Sequence, residues 1–162
     1  FKNLIKSKNK FFNHSIQQAS IKKDIDLKRI RRVPEGKSIR YERDEKKYLP
    51  RSLWFDHDWD KMSENRFRDA KYYRLSRDKP SPTIMTKSNM YYHPTEDRHL
   101  TVREAAALQG FPPNFQIKGS LTKQWVQIGN AVPPMMSEQI GKCILLMHKN
   151  IRKKLKDRKT TC

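Results

Sequence analysis

Six apolar residues late in the chain, Met136, Ile140, Ile144, Met147, Ile151 and Leu155, recur at spacings of 4, 4, 3, 4 and 4. That rhythm places all six on one face of an α-helix. Pro133-Pro134 marks its start, because a proline in the first turn lacks only an amide that the helix would not use. Lys149, Arg152, Lys153, Lys154 and Lys156 crowd its last turns, where the negative end of the helix dipole favours cations. Such a stripe needs apolar cover. Leu, Ile, Val and Phe make up only about a fifth of the chain, at the lower edge for a self-sufficient core. The stripe is therefore expected to be core against another chain, and the fold to be completed by a partner.

The remaining surface is strongly basic. Against 17 Asp and Glu stand 36 Lys and Arg, a net charge of +19. Residues 1–50 carry +9, residues 51–100 +2 and residues 101–162 +8. Self-repulsion of this size disfavours a compact state unless a polyanion offsets it. Nucleic acid is the natural partner, since each neutralised phosphate releases counterions. The bland alternative is a merely solvated basic surface.

Several classes are excluded. The longest apolar run, 143–147, is far short of the ~20 residues a membrane span needs. Lys2, Lys6, Lys8 and Lys10 interrupt any signal-peptide core. Cys143 and Cys162 cannot build a disulfide framework or a four-ligand zinc site, so no metal centre is expected. They read as core filler and a free terminal thiol in a reducing, intracellular setting, expected to be cytoplasmic. With five glycines in the whole chain there is no Gly-rich phosphate loop.

Residues 1–30 are rich in Lys, Asn and Gln, with a faint helical pattern over 12–27. Residues 31–70 have no clean period; Trp54, Phe55 and Trp59 among Asp56, Asp58 and Asp60 suggest a loop with aromatic anchors. Residues 71–100 read as short strands and turns, with alternation at 71–75, punctuation at Asp78, Pro80 and Pro82, and an extended segment at 83–86. Thr101 and Glu104 form a T-x-x-E capping box, which predicts a helix from Val102 to about Gln109. Gly110 supplies a left-handed stop, and Pro112-Pro113 prevents continuation. In Gln127-Ile128-Gly129-Asn130-Ala131-Val132-Pro133-Pro134, Gly followed by Asn permits positive φ and a sharp turn. Its amides and the Asn130 side chain, just ahead of a helix, can meet a carboxylate. The same residues also suit an ordinary turn and helix cap.

Arg98-His99-Leu100-Thr101-Val102-Arg103-Glu104-Ala105-Ala106-Ala107-Leu108-Gln109-Gly110-Phe111-Pro112 resembles the ninth motif of DNA (cytosine-5) methyltransferases. The 127–134 segment resembles their tenth and last. Val33-Pro34-Glu35-Gly36, Tyr73-Arg74-Leu75, Pro80-Ser81-Pro82-Thr83-Ile84 and His93-Pro94 resemble, in family order, the target-recognition region of bacterial-type members. The family's catalytic Cys follows a Pro, and this sequence has no Pro-Cys dipeptide; it also has no Glu-Asn-Val. The resemblance thus implies the C-terminal part of such an enzyme, as a gene fragment or as the small chain of a split enzyme, inactive by itself.

The implied fold is α+β: a small target-recognition domain of short strands and loops, plus a C-terminal helix that completes the Rossmann-like methyltransferase domain. The implied divisions are 1–30 (tail of the large domain or linker), 31–97 (recognition), 98–132 (hinge region), 133–155 (closing helix) and 156–162 (basic tail). Family enzymes flip the target cytosine from duplex DNA and methylate C5 from S-adenosylmethionine. The resemblance puts Thr83 and Ile84 beside the flipped nucleotide, with Arg74 and Arg98 as candidate DNA contacts or equally as structural arginines. Asn130, Ala131 and Val132 would border S-adenosylmethionine, and Arg103 and Glu104 would brace the domain. The implied partners are double-stranded DNA and a larger methyltransferase chain with the catalytic motifs. Two rivals are a non-catalytic DNA-reading remnant and a basic RNA-binding protein that stacks bases on Tyr72, Tyr73, Tyr91 and Tyr92.

Overall fold

A computed structural model describes residues 12–56, 59, 72–88 and 90–159, without the side chains of 154 and 156–159. In chain order the elements are α1 (Ile16–Ala19), α2 (Asp24–Ile30), α3 (Glu42–Tyr48), a 3-10 turn (Arg51–Leu53), β1 (Tyr73–Arg74), β2 (Tyr91–Tyr92), α4 (Val102–Leu108), α5 (Leu121–Asn130) and α6 (Pro134–Lys159). The fold is thus mixed, mainly helical around a small two-stranded sheet. Residues 1–11 of the expected N-terminal tail, Asp58, Asp60, Lys71 and the end of the basic tail at 160–162 lie outside the described residues.

The faint helix of 12–27 is two short helices. Ser15 caps α1, and Ser20 turns back into extended backbone and ends it. α3 arises where the sequence has no apolar period. Polar end signals carry it instead: Glu42, Asp44 and Glu45 in its first turn, Lys46 and Lys47 in its last. The Asp44 carboxylate accepts from the Arg40 and Tyr41 amides, both at 3.1 Å.

β1 and β2 pair in parallel, Tyr73 opposite Tyr91 and Arg74 opposite Tyr92. Successive strand residues point to opposite faces, so Tyr91 and Tyr92 enter two different cores. Tyr91 joins Leu75, Ile84, Leu100, Val102, Ala105, Ala106, Ile117, Trp125 and Ile128. Tyr92 joins Ile30, Val33, Ile39, Leu49 and Tyr72, against which Trp54, Phe55 and Trp59 pack. The aromatic anchors are tied by Glu45, whose carboxylate accepts from the Phe55 amide and, at 2.8 Å, from Trp59 Nε1.

Packing runs across the expected boundaries at 30/31 and 97/98. Leu75, Ile84 and Tyr91 share a core with residues 100–128. Asn13, in the left-handed region at φ 63°, donates to the Ile117 carbonyl (2.7 Å) and accepts from the Ile117 amide (3.0 Å).

Tyr72, Tyr91 and Tyr92 are all buried, and Tyr72 stacks on Tyr92 with centroids 5.8 Å apart. Tyr73 is half-buried and packs against the Tyr91 core. Three of the four rings are thus spent inside the protein, which weakens the stacking support for the RNA-binding rival.

α6 begins at Pro134, beside the expected Pro-Pro start. Its stripe is uncovered: Met136 is 57% exposed, Ile144 60%, Met147 63% and Leu155 54%. Among the described residues no helix is long and apolar enough to cross a membrane.

Candidate functional site

The 127–130 segment is not the sharp turn that Gly-Asn suggests. It is the end of α5, a ten-residue helix capped by Ser120, whose side chain accepts from the Lys123 amide. Gly129 is helical; its role is close approach. A Cβ there would lie 2.6 Å from the Thr86 nitrogen and 2.7 Å from the Met85 carbonyl carbon. The missing side chain lets the helix end press directly on the backbone of 85–86. A signal for α5 was present: Leu121, Trp125 and Ile128 at spacings 4 and 3, behind a serine cap.

This contact brings together two of the sequence-predicted groups. Thr83 is exposed, while Ile84, 3% exposed, is core. The Tyr91 hydroxyl donates to the Thr83 carbonyl, fixing the backbone from the other side. Across Gly129, Asn130 is exposed, Ala131 half-buried and Val132 53% exposed. The Asn130 carboxamide makes no hydrogen bond within the described residues, and the Ala131 amide is spent on the Ile128 carbonyl. The 127–134 segment therefore offers an open edge with one free carboxamide and one exposed isopropyl group. That suits a border of a polar ligand held elsewhere and does not amount to an enclosed pocket.

Arg74 and Arg98 lie apart from this strip, both 5% exposed. All five donors of Arg74 are used: by the carbonyls of Val33 (2.9 Å), His93 (3.0 Å), Glu96 (3.0 Å) and Ile30 (2.8 Å), and by Asp97 Oδ1 (2.7 Å). Arg98 grips Glu104 with two nitrogens at 2.8 and 2.7 Å, Glu96 at 2.8 Å and the His99 carbonyl at 3.0 Å. This is the geometry of the structural alternative left open for both.

Burial works against the charge on Arg98, but the bonds to Glu104 and Glu96 outweigh it and hold the guanidinium charged. His93, fully buried beside them, is pushed down by burial first and then by the Arg98 charge. Its Nδ1 accepts from the Glu96 amide at 3.0 Å.

The capping box is present: Thr101 Oγ1 accepts from the Glu104 amide (3.2 Å), and Glu104 Oε2 accepts from the Thr101 amide (2.8 Å). α4 stops at Leu108, with Gly110 left-handed at φ +81°. Arg103, wholly buried, donates to the carbonyls of Phe12 (2.9 Å), Pro112 (3.0 Å) and Phe115. It thus staples the N-terminal segment to the loop after α4. Burial lowers its affinity for a proton. Among the described residues no group of acids, histidines and cysteines could hold a metal.

The model of the C-5 cytosine-specific DNA methylase family matches residues 2–146, most of the chain. The chain belongs to that family. Among curated methylases, it is 42% identical over 80 residues to the type II methyltransferase M1.HphI of Haemophilus parahaemolyticus, covering 49% of this chain and 22% of that one. It is 48% identical over 61 residues to DNA (cytosine-5)-methyltransferase 1B of Oryza sativa, covering 38% of this chain and 4% of that one. A third methylase, M.AquIB of Picosynechococcus, is 41% identical over 88 residues, 46% of this chain but 63% of its own length. That relative is itself a short chain. The match to M1.HphI spans about a fifth of that relative.

Proposed function

We propose that the chain is the C-terminal portion of a DNA (cytosine-5)-methyltransferase. It binds duplex DNA and reads the target site, while a larger polypeptide supplies the catalytic Cys and Glu motifs that this sequence lacks. The observation that carries this is the uncovered stripe of α6. A helix with one apolar face gains most of its stability by burying that face, and no described residue covers it. The short relative M.AquIB, named a type II methyltransferase, supports a division of the enzyme between chains. In this reading 133–155 is the closing helix, and the recognition part 31–97 moves as one body with the hinge region 98–132, whose core it shares.

The geometry supports the following roles. Lys and Arg side chains hold register on the phosphates, and a few side chains read base edges. Flipping a base costs a few kcal/mol of lost stacking, so the reader must be preorganised. Thr83 meets that need: Ile84 is locked in the core on one side, and the Thr83 carbonyl is held by Tyr91. S-adenosylmethionine supplies the methyl group when bound. Asn130 and Val132 border it, Asn130 with its free carboxamide and Val132 with apolar surface, while Ala131 fixes the exit from α5. Arg74 and Arg98 act as braces.

The deciding experiment measures transfer from labelled S-adenosylmethionine to duplex DNA. The chain by itself is expected to give none, and activity is expected when a larger chain carrying Pro-Cys and Glu-Asn-Val is added. Methylation by the purified chain without a companion would overturn the reading. Cognate DNA binding that never supports transfer with any catalytic chain would instead favour the remnant. In the reconstituted enzyme, Thr83→Ala should lower methylation of the cognate site about tenfold, the scale of one lost base-directed hydrogen bond. Bulk DNA affinity should change little, and equal losses in both would remove Thr83 as a reader.

A further inference from the structure

The family match ends at residue 146, but α6 continues without a break to Lys159. The added turns are amphipathic in an unusual way. Met147, Ile151 and Leu155 prolong the apolar stripe. Lys149, Arg152 and Lys153, at positions i, i+3 and i+4, stand together on the face turned away from it. All three are exposed.

Three other helical lysines pair with a carboxylate four residues back: Lys28 with Asp24, Lys46 with Glu42 and Lys142 with Glu138, each at 2.6 Å. Among the side chains the structure describes, which leave out those of 154 and 156–159, no carboxylate pairs with Lys149, Arg152 or Lys153. Like charges three and four residues apart destabilise a helix. The dipole offsets this only in the last turn, and Lys149 lies ten residues before the end of α6. A repulsive ridge that no described side chain compensates fits an external polyanion.

Resting on the reading that this chain binds duplex DNA, we propose that Lys149, Arg152 and Lys153 form a clamp on the DNA phosphate backbone, separate from the base-reading strip at Thr83. Four helical residues rise about 6 Å, close to the axial length of two phosphates on one strand. Because ridge and stripe occupy different faces, α6 grips DNA while its apolar face is docked. The clamp carries no sequence preference, since phosphates are the same at every site.

The test uses the full chain and a fluorescent duplex, with affinity measured across a salt series. The variant Lys149→Gln/Arg152→Gln/Lys153→Gln keeps good helix formers and leaves the stripe intact. The magnitude of the slope of log affinity against log salt is expected to fall by about 2 to 3, at about 0.9 per phosphate contact. Affinity at 0.1 M salt should drop roughly tenfold or more, equally for cognate and unrelated duplexes. The matched control Arg43→Gln/Lys46→Gln/Lys47→Gln on α3 removes the same charge elsewhere and should change the slope much less. An unchanged slope in the first variant, or equal changes in both, overturns the clamp. So does a variant that loses binding to anionic phospholipid vesicles but keeps its DNA slope, which would assign the ridge to a membrane surface. A wild-type chain that binds no duplex even at low salt would sink the DNA reading itself, a different outcome from wild-type binding with an unaltered variant.

Discussion

Glu104→Ala is expected to lower the free energy of unfolding by about 3–5 kcal/mol, the scale of breaking a buried ion pair from one side. The Glu104 side chain is 1% exposed and that of Arg98 is 7% exposed. Removing the carboxylate leaves a buried guanidinium with only Glu96, itself 44% exposed, as its acidic partner. It also removes the acceptor of the Thr101 amide, half of the box that starts α4. Glu104→Gln keeps that acceptor and the shape, so its loss should be smaller. The double variant Arg98→Met/Glu104→Leu should lose less than the sum of the single changes, because the second change removes the orphaned charge created by the first. Urea midpoints for the variants check this; strict additivity would mean that the two groups do not act as a pair.

The same cluster sets the response to acid. Burial would raise the Glu104 carboxyl, but its bonds from Arg98 and the Thr101 amide outweigh burial and hold it below the ordinary range. Glu96 is lowered chiefly by its bond from Arg98. His93 and His99 are lowered chiefly by burial. All four titrate lower in the folded protein than in the unfolded chain. Their stabilisation is complete above the unfolded values and is lost as pH falls through the folded ones. Stability should therefore begin to drop below about pH 6.5 as the unfolded histidines take up protons, and drop further below about pH 4.3 as the carboxylates do. Glu104→Ala should flatten the second limb.

What was legible in the sequence follows from where each signal resides. The capping box of α4, its glycine stop and the stripe of α6 are local patterns, and the structure contains each of them. α3 was hidden because capping and charge support it where an apolar period is missing. α5 was hidden because Gly129-Asn130 reads locally as a turn, whereas tertiary contact with 85–86 selects a glycine inside a helix. Arg74 could not be sorted into surface contact or brace from sequence, since that depends on acceptors more than 15 residues away, such as the Val33 and Ile30 carbonyls. Arg98 has its acceptors close by at Glu96, His99 and Glu104, but its burial comes from the fold and not from that spacing. Thr83 and Ile84 are neighbours whose side chains part company. Only the core position of Ile84 tells which of the two is offered to solvent.

Gly129 and Gly141 give opposite answers to one substitution. By helix propensity alone, Gly→Ala in a helix interior stabilises by about 1 kcal/mol. At Gly141 a Cβ would meet nothing within 4 Å, so Gly141→Ala should raise the helicity of α6, read by far-UV circular dichroism. At Gly129 the added carbon would fall 2.6 to 2.8 Å from three backbone atoms of residues 85 and 86. No rotamer change relieves a clash with main chain, so either α5 must withdraw or the 83–86 segment must shift. Overpacking of this kind costs about 1–3 kcal/mol, occasionally more. The propensity gain offsets only part of it when the clash is with three main-chain atoms, and Gly129→Ala should destabilise by about 1 kcal/mol or more net. The strain falls where Ile84 packs on Ile128 and where Gln109 Nε2 donates to the Ile128 carbonyl at 3.3 Å, so it separates the Thr83 strip from the Asn130 edge. A Gly129→Ala protein as stable as the wild type would mean that the helix end and the 85–86 backbone are not in contact, and the two halves of the candidate site would lose the link that unites them.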